Sequence, residues 1–317
     1  MCLTLAFITD RYAFGKRSDK NPDLKYFSAE DFGLSAELIS LPKGLKGFIY
    51  RKADIPQKDK LIIFCHGMGP GHIAYTTEIA YFCKLGYPVL AVDSRGCNFS
   101  DGKNIKGMYS GVQTVISAID AVNSGELFSS CHPEACRRIP SSPAIYLVGH
   151  SWGAYSALCA SAKRNVAGVV AISAPNTPSK TMQEGAAPII SRPLAAILRP
   201  FWWIVNFLKY GAKGNSNAAR CAEKNGTPTL LIHGDEDKIV TPSKATFYKA
   251  KGGNITKYLA AGKGHNPYNT QNAEKLLAEL SASFKNRTYD RDKFDFVGAT
   301  EEDETVMGEI ARFIENN

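Results

Sequence analysis

The sequence predicts an α/β fold with a mostly parallel central sheet and helices on both faces. Short apolar runs alternate with segments whose apolar residues recur at helical spacing, a pattern typical of parallel strands joined by crossover helices. The runs are continuous rather than alternating with polar residues, as expected of strands buried on both faces. The chain has 317 residues, 44% hydrophobic and 21% charged, so it can bury a full core and is not a disordered chain.

The strands of this sheet are predicted from the apolar runs downstream of residue 60. They lie at 61–65, 88–92, 144–148, 166–172, 229–233 and 256–260. Helices are predicted where apolar residues share one helical face. They lie at 75–82, 112–122 and 273–284. Upstream, residues 27–41 and 45–51 are joined by Pro42, Lys43 and Gly44, so an antiparallel hairpin is predicted to lead into the sheet.

Two insertions interrupt this alternation. Residues 124–143 contain three prolines, which favour a long loop over a core element. Residues 176–226 separate two predicted strands and have helical apolar patterning, so they are predicted to form a helical cap over one edge of the sheet. The expected organisation is a core domain of residues 1–175 and 227–317, with the cap inserted between them.

A sharp turn with a serine at its apex is predicted after the strand at 144–148. Gly149, Ser151 and Gly153 form a G-x-S-x-G pattern, and a helical pattern begins directly after it. The glycines allow a turn tight enough to present the serine Oγ, and the helix N-terminus favours developing negative charge. By itself the pattern is weak evidence for a nucleophile, because a helix-capping serine in a glycine-rich turn gives the same sequence pattern. The presence of a base and an acid elsewhere in the sequence distinguishes the two interpretations.

A serine hydroxyl needs a base, and the base needs an acid that orients it. His265 lies in the loop after the last predicted parallel strand, and Asp237 follows the strand before it. Because the carboxyl ends of parallel strands meet at one edge of a sheet, we expect both side chains to reach Ser151. The chain order Ser, Asp, His is the order that this architecture requires. Asp235 competes with Asp237 for the role of the acid.

Acyl transfer also needs N–H donors for the developing oxyanion. The loop after the first parallel strand is expected to supply one, the backbone N–H of Met68, and the N–H of Trp152 the other. Both donors are backbone groups, so their side chains can vary.

These motifs, in this order, resemble those of the α/β-hydrolase superfamily. The sequence is similar to small intracellular esterases and to monoacylglycerol-lipase-like and serine-peptidase-like members over residues 60–315, with the hairpin as a weaker continuation. The resemblance implies an α/β-hydrolase fold and favours Asp237 as the acid, since residues 234–240 fit a G-x-x-D-x-x-V motif. Residues 93–100 resemble the D-x-R-G-x-G-x-S loop but carry Asn98 where glycine is usual. Asn tolerates left-handed backbone, so the departure concerns local turn geometry rather than the fold.

Other polar residues near these motifs have structural interpretations. His66 and His150 are expected to hydrogen-bond within their turns, and Asp93 to order its own loop. Three clustered donors suggest a zinc site: Cys131, His132 and Cys136. They lack an obvious fourth ligand and a common finger spacing, so a proline-rich surface loop is favoured and no metal is expected.

The cap is where substrate choice is expected to be made. Its apolar residues are Ile189, Ile190, Leu194, Ile197, Leu198, Phe201, Trp202, Ile204, Val205 and Leu208, interleaved with Arg192, Arg199 and Lys209. They predict either an amphipathic lid facing an acyl pocket or a cap that packs its apolar face on the body; a lid that dips into a membrane surface is the third alternative. The net charge of +8 is concentrated here, with seven basic residues against two acidic ones, whereas residues 300–317 are acidic. This favours an anionic or amphiphilic substrate, or contact with a lipid surface.

The expected function is hydrolysis of carboxylic esters with a hydrophobic acyl group through an acyl-enzyme intermediate, with no metal or organic cofactor. A thioesterase or a small-peptide or amide hydrolase would use the same machinery. A non-catalytic α/β-hydrolase scaffold used for binding is the alternative from another class. Nucleic acid is not an expected partner, because adjacent Lys and Arg residues form no cluster larger than a pair and no nucleic-acid-binding motif is present.

A cytoplasmic location is expected from the N-terminal and cysteine composition. The N-terminus lacks a basic n-region, and its apolar stretch at 3–8 is shorter than a signal h-region. The eight cysteines are better interpreted as reduced thiols than as a disulfide framework. The longest apolar stretch, 194–208, is broken by Arg199 and Pro200, so no membrane-spanning helix is predicted.

Overall fold

A sheet of eight strands forms the centre of the computed structural model, which describes residues 1–125, 127, 143–224 and 226–317. The strands are β1 (Ser35–Leu41), β2 (Leu45–Arg51), β3 (Lys60–Cys65), β4 (Val89–Val92), β5 (Ala144–His150), β6 (Gly168–Ile172), β7 (Thr229–Gly234) and β8 (Ile255–Ala260). Their order is β1-β2-β4-β3-β5-β6-β7-β8. Strands β3 to β8 pair in parallel, and the hairpin β1–β2 joins the edge of β4 in antiparallel orientation. The predicted α/β-hydrolase sheet is confirmed.

Helices flank this sheet and fill the connections between its strands. They are α1 (Cys2–Phe14), α2 (Thr76–Lys84), α3 (Tyr109–Asn123), α4 (Trp152–Ser161), α5 (Pro178–Ile190), α6 (Arg192–Tyr210), α7 (Ala218–Lys224), α8 (Gln271–Asn286) and α9 (Glu304–Asn316). Helices α5 to α7 lie in the segment predicted as a cap, between β6 and β7. Among the described residues, no helix combines the length and the hydrophobicity needed to span a bilayer.

The two faces of the sheet are both buried, as the continuous apolar strands predict. On β3, Ile63 belongs to the core that includes α3, α4 and α6, whereas its neighbours Ile62 and Phe64 belong to the core under α2 and α9. Alternate side chains of a strand point to opposite faces, so a strand with both faces covered must be apolar throughout. This packing fixes the carboxyl ends of the parallel strands as one rigid edge.

Two local features differ from the sequence-based expectations. The first arm of the hairpin begins at Ser35 rather than at residue 27, and a short 3-10 turn, Glu30–Phe32, precedes it. Helix α1 lies in a segment with no clear helical pattern and packs along α6, where the Trp202 Nε1 donates to Thr9 Oγ1 at 2.9 Å. Residues Cys131, His132 and Cys136, considered above as zinc ligands, lie outside the described residues.

Candidate active site

The turn between β5 and α4 holds Ser151 in a strained backbone conformation. Its φ of 53° and ψ of −116° are rarely adopted by a residue with a side chain. The backbone N–H of Ser151 donates to the carbonyl of Ile172 on β6 at 2.8 Å, which ties the turn to the sheet. The flanking glycines are required by close approach: a Cβ at Gly153 would lie 1.9 Å from the carbonyl oxygen of Cys65, and one at Gly149 2.7 Å from the backbone of Gly153. The turn therefore presents Ser151 at the carboxyl edge of the sheet.

Three predicted side chains, separated widely in the chain, form one hydrogen-bonded row at this edge. Ser151 Oγ lies 3.0 Å from His265 Nε2, and His265 Nδ1 lies 2.8 Å from Asp237 Oδ2. The other carboxylate oxygen of Asp237 accepts the backbone N–H groups of Ile239 and Val240 at 2.8 and 2.9 Å. With Nδ1–H donating to the carboxylate, Nε2 is free to accept the serine proton.

The environment of Asp237 keeps its carboxyl group ionised. Burial by itself would raise the pKa of Asp237, but the hydrogen bond and charge of His265, with the N–H donors of Ile239 and Val240, lower that pKa below its usual value. Asp235, the alternative acid, accepts the N–H of Gly262 at 2.7 Å. Asp235 thus braces the loop before His265, while Asp237 makes the contact with the imidazole.

His233 is a buried neighbour of this row that the sequence reasoning does not single out. Its Nε2 lies 3.8 Å from Asp237 Oδ2, and its ring stacks on Phe247. Burial lowers the pKa of His233, so it contributes no positive charge beside Asp237 at neutral pH. A histidine at the end of a strand has no signal in the sequence that would connect it to the site.

The loop after β3 lies beside the serine turn and carries Met68. In the described part of the chain, the N–H groups of Met68 and Trp152 donate to no protein oxygen, so both are available as donors. The preceding amide, Gly67 N–H, donates to the hydroxyl of Tyr75 at 3.1 Å. This contact holds the loop from within.

His150 connects this loop to the catalytic histidine candidate. Its Nδ1 accepts the Tyr75 hydroxyl at 2.9 Å and its Nε2–H donates to the carbonyl of His265 at 3.0 Å. Burial and the neighbouring His265 lower the pKa of His150 to about 3, so the ring is neutral and this tautomer satisfies every partner. The expectation that His150 bonds within its own turn is wrong, because its two partners, Tyr75 and His265, lie 75 and 115 residues away in the chain.

His66 behaves as expected for a structural residue. Its Nδ1 lies 2.6 Å from the carbonyl of Gly67 in the same turn, and its Nε2 accepts the N–H of Ser94 at 2.9 Å. Burial lowers the pKa of His66, so its ring is neutral where it links the loops that follow β3 and β4.

Asp93 orders more than its own loop. It accepts the N–H of Phe99 at 3.1 Å, and also both the backbone N–H and the ring of His72 at 2.8 Å. Burial by itself would raise the pKa of Asp93, but the charge and the hydrogen bonds of His72 have the larger effect and lower this pKa below its usual value. Asn98 in this loop has a φ of 36°, the left-handed backbone for which glycine is usual at that position. Asp93 therefore braces the far end of the loop that carries Met68.

The helices between β6 and β7 are anchored close to this edge. Glu184 of α5 forms an ion pair with Lys244 at 2.6 Å and accepts the hydroxyl of Thr241, both in the loop that follows Asp237. Helix α6 buries Trp202 and its neighbours against α1 rather than turning them toward a pocket. Among the described residues, no cluster of His, Cys, Asp and Glu is arranged to hold a metal ion.

Comparison with known proteins supports the same family. The model of the alpha/beta hydrolase family matches residues 62–279. An esterase from Pyrococcus furiosus is similar in structure, with a TM-score of 0.58 and 18% identity over 86% of this chain and 98% of that one. An alpha/beta hydrolase from a Penicillium species has a TM-score of 0.51 and 16% identity, covering 80% of this chain and 99% of that one. No curated protein matches this chain in sequence. At these identities the solved structures support the fold alone.

Proposed function

Because the chain belongs to the alpha/beta hydrolase family, we propose that it is a serine hydrolase that cleaves carboxylic esters. The observation that carries this proposal is the unbroken row from Ser151 Oγ through His265 to Asp237, with distances of 3.0 and 2.8 Å. A nucleophile, a base and an orienting acid in hydrogen-bond contact are the groups that acyl transfer needs.

The reaction proceeds in two halves. Ser151 Oγ attacks the ester carbonyl carbon while His265 Nε2 takes the hydroxyl proton, and the carbonyl electron pair moves onto the oxygen. The N–H groups of Met68 and Trp152 stabilise that oxyanion. The intermediate collapses, His265 delivers its proton to the leaving alcohol, and an acyl-enzyme remains. Water, deprotonated by His265, then attacks the acyl carbon and releases the acid and Ser151.

A hydrophobic acyl group fits the side chains around this edge. Met68, Phe99 and Ile239 each expose a large apolar surface, and each lies on a loop that carries or braces a group of the proposed site. Apolar side chains on three loops of this edge suit an alkyl chain better than a sugar or a charged peptide.

Active-site labelling tests the proposal. A fluorophosphonate probe should label the wild-type protein and the control Ser281→Ala, which removes an exposed hydroxyl on α8, but not Ser151→Ala. Turnover of p-nitrophenyl esters of increasing acyl length should disappear in Ser151→Ala and report the length that the site prefers. An unlabelled wild type, or equal turnover by Ser151→Ala, would overturn the proposal. Matched thioester and anilide substrates identify a thioesterase or an amide hydrolase instead.

A further inference from the structure

Helix α6 leaves an apolar face uncovered in the described part of the chain. Of its 19 residues, only Arg192, Arg199 and Lys209 are charged and none is acidic. One face packs inward through Ala195, Leu198, Trp202 and Val205. The opposite face is also apolar, and five large side chains on it are between 36% and 63% exposed: Ile197, Trp203, Ile204, Phe207 and Leu208. An exposed face with several large apolar side chains is expected to have a partner that covers it.

Helix α1 covers the inward side of α6 and leaves this exposed face open. It packs along α6 through buried Ala6, Asp10 and Phe14, and Trp202 and Lys209 of α6 bond to Thr9 and Asp10. Because Trp202 belongs to the inward face of α6, α1 lies on the side away from the exposed apolar side chains. We call the exposed face of α6 the docking surface.

The exposed charges of α6 are all of one sign. Arg192 and Arg199 are exposed cations of this helix, which contains no acidic residue. Neither arginine forms an ion pair among the described residues. A second copy of the chain would bring cations against cations here, whereas the phosphates of a bilayer would complement them.

The aromatic residues of the docking surface suit a lipid–water boundary. Trp203 stacks on Phe207 with ring centres 5.5 Å apart. Trp combines an apolar ring with a polar edge and favours the headgroup level of bilayers. Helices with an apolar face and flanking Lys and Arg lie in the plane of such interfaces. We propose that the docking surface binds the protein peripherally to an anionic lipid bilayer, with α6 lying in its headgroup region.

This proposal is independent of the chemistry at Ser151, so binding can be measured without turnover. Wild type and Ser151→Ala should co-sediment equally with vesicles of phosphatidylcholine and phosphatidylserine, and at least about 25-fold less with phosphatidylcholine alone. Replacing both Arg192→Gln and Arg199→Gln should weaken binding to the anionic vesicles about 25-fold, or roughly fivefold for each cation removed. Lys285→Gln with Arg291→Gln, which removes two exposed cations elsewhere, should leave it unchanged.

The apolar part of the docking surface is tested with a second pair of variants. Ile204→Gln with Leu208→Gln should reduce binding to anionic vesicles at least about tenfold, since their burial supplies the anchoring. The control, Leu38→Gln with Val297→Gln, changes two exposed apolar residues outside the docking surface. Comparable loss of binding in the control would contradict a specific surface, and circular dichroism of each variant checks that it is folded.

The fluorescence of one tryptophan on the docking surface can report how deeply this surface enters the bilayer. Trp203 is 46% exposed, whereas Trp152 and Trp202 are at most 2% exposed, so quenching by lipids brominated along their acyl chains should report Trp203. Trp203→Phe should abolish the quenching and keep most of the binding. The proposal is overturned if wild type binds neither vesicle, or binds without quenching. It is also overturned if the protein is a dimer that the apolar variants convert to monomers without changing vesicle binding.

Discussion

His150 Nε2–H donates to the backbone carbonyl of His265 at 3.0 Å, so the residue before the nucleophile candidate holds the loop of the base candidate. The two rings lie with centres 4.8 Å apart. Through the Tyr75 hydroxyl, His150 is also linked to the N–H of Gly67, in the loop that offers the Met68 amide. One buried chain of hydrogen bonds therefore fixes the proposed base and the proposed oxyanion loop relative to each other.

Removing the Tyr75 hydroxyl should lower turnover more than substrate affinity. Tyr75→Phe leaves the buried Gly67 N–H and His150 Nδ1 without their partner, which costs about 1–3 kcal/mol of unfolding free energy. If part of that loss relaxes the oxyanion loop, kcat should fall about tenfold, equivalent to about 1.4 kcal/mol, with KM changed little. Ester kinetics and urea unfolding measure the two effects.

Tyr146→Phe is the matched control for this variant. Tyr146 is also buried, but its hydroxyl has no hydrogen-bond partner among the described residues. Its removal should leave kcat unchanged. Equal kinetics in wild type and Tyr75→Phe would refute a positioning role for the Tyr75 hydroxyl.

The neutral state of His150 should make the fold sensitive to acid. Burial and the adjacent His265 lower the pKa of His150 to about 3, while in the unfolded chain a histidine titrates near 6.5. Between these values the unfolded state binds the extra proton, so stability is full above about pH 6.5 and decreases as pH falls. The slope approaches about 1.4 kcal/mol per pH unit well below pH 6.5, which amounts to about 2 kcal/mol between pH 7 and pH 5.

His150→Gln should reduce this dependence. Urea unfolding at pH 7 and pH 5 should show a smaller difference in the variant than in wild type, whatever the variant's absolute stability. A dependence remains in both proteins, because burial also lowers the pKa of His66 and of His233. An unchanged difference between the two pH values would mean that His150 is not held neutral.

Substitution of Asp237 should lower turnover far more than substitution of Asp235, the other candidate acid. Asp237→Asn replaces the carboxylate that accepts from His265 Nδ1, so the imidazole loses both its orientation and its counter-charge, and kcat should fall about 10⁴-fold. Asp235→Asn retains an acceptor oxygen for the N–H of Gly262 and should cost less than about fivefold. Ester kinetics of both variants under the same conditions provide the comparison. The reverse ranking would assign the acid to Asp235.

The sequence predicts the sheet well because its signal is local. Strands β3 to β7 are largely apolar runs, whereas the edge strand β8 includes Thr256 and Lys257 and is partly exposed. The boundaries of all six strands differ from the predicted ones by only a few residues. Ser151, Asp237 and His265 are likewise foreseeable, since each follows a strand end and the carboxyl ends of parallel strands share one edge. The elbow, the acid motif and the late histidine are short patterns that the chain carries in order.

What the sequence hides is set by long-range packing. Helix α1 has no distinctive apolar face because its exposed side is apolar too, and its position on α6 depends on partners such as Thr9 and Trp202, 193 residues apart. In the sequence, Tyr75 precedes a helix and His150 ends a strand, and nothing in either pattern predicts that their side chains form a hydrogen bond. The outward face of α6 carries Trp203 and Leu208, which are as apolar as Trp202 and Leu198 on its buried face, so an apolar side chain by itself does not show which face meets the core.

The serine turn should tolerate no side chain at Gly153, despite the helical position. Alanine normally stabilises a helix relative to glycine by about 0.5–1 kcal/mol. At Gly153, however, a Cβ would lie 1.9 Å from the carbonyl oxygen of Cys65, a backbone atom of β3 that cannot move without disrupting the sheet. Gly153→Ala should therefore destabilise the protein by about 2 kcal/mol or more and abolish labelling of Ser151. Gly308→Ala in α9, where a Cβ meets nothing within 4 Å, should instead raise the unfolding free energy by about 0.5–1 kcal/mol in the same urea titration. Stabilisation by both substitutions would show that α4 does not approach β3 as closely as this turn requires.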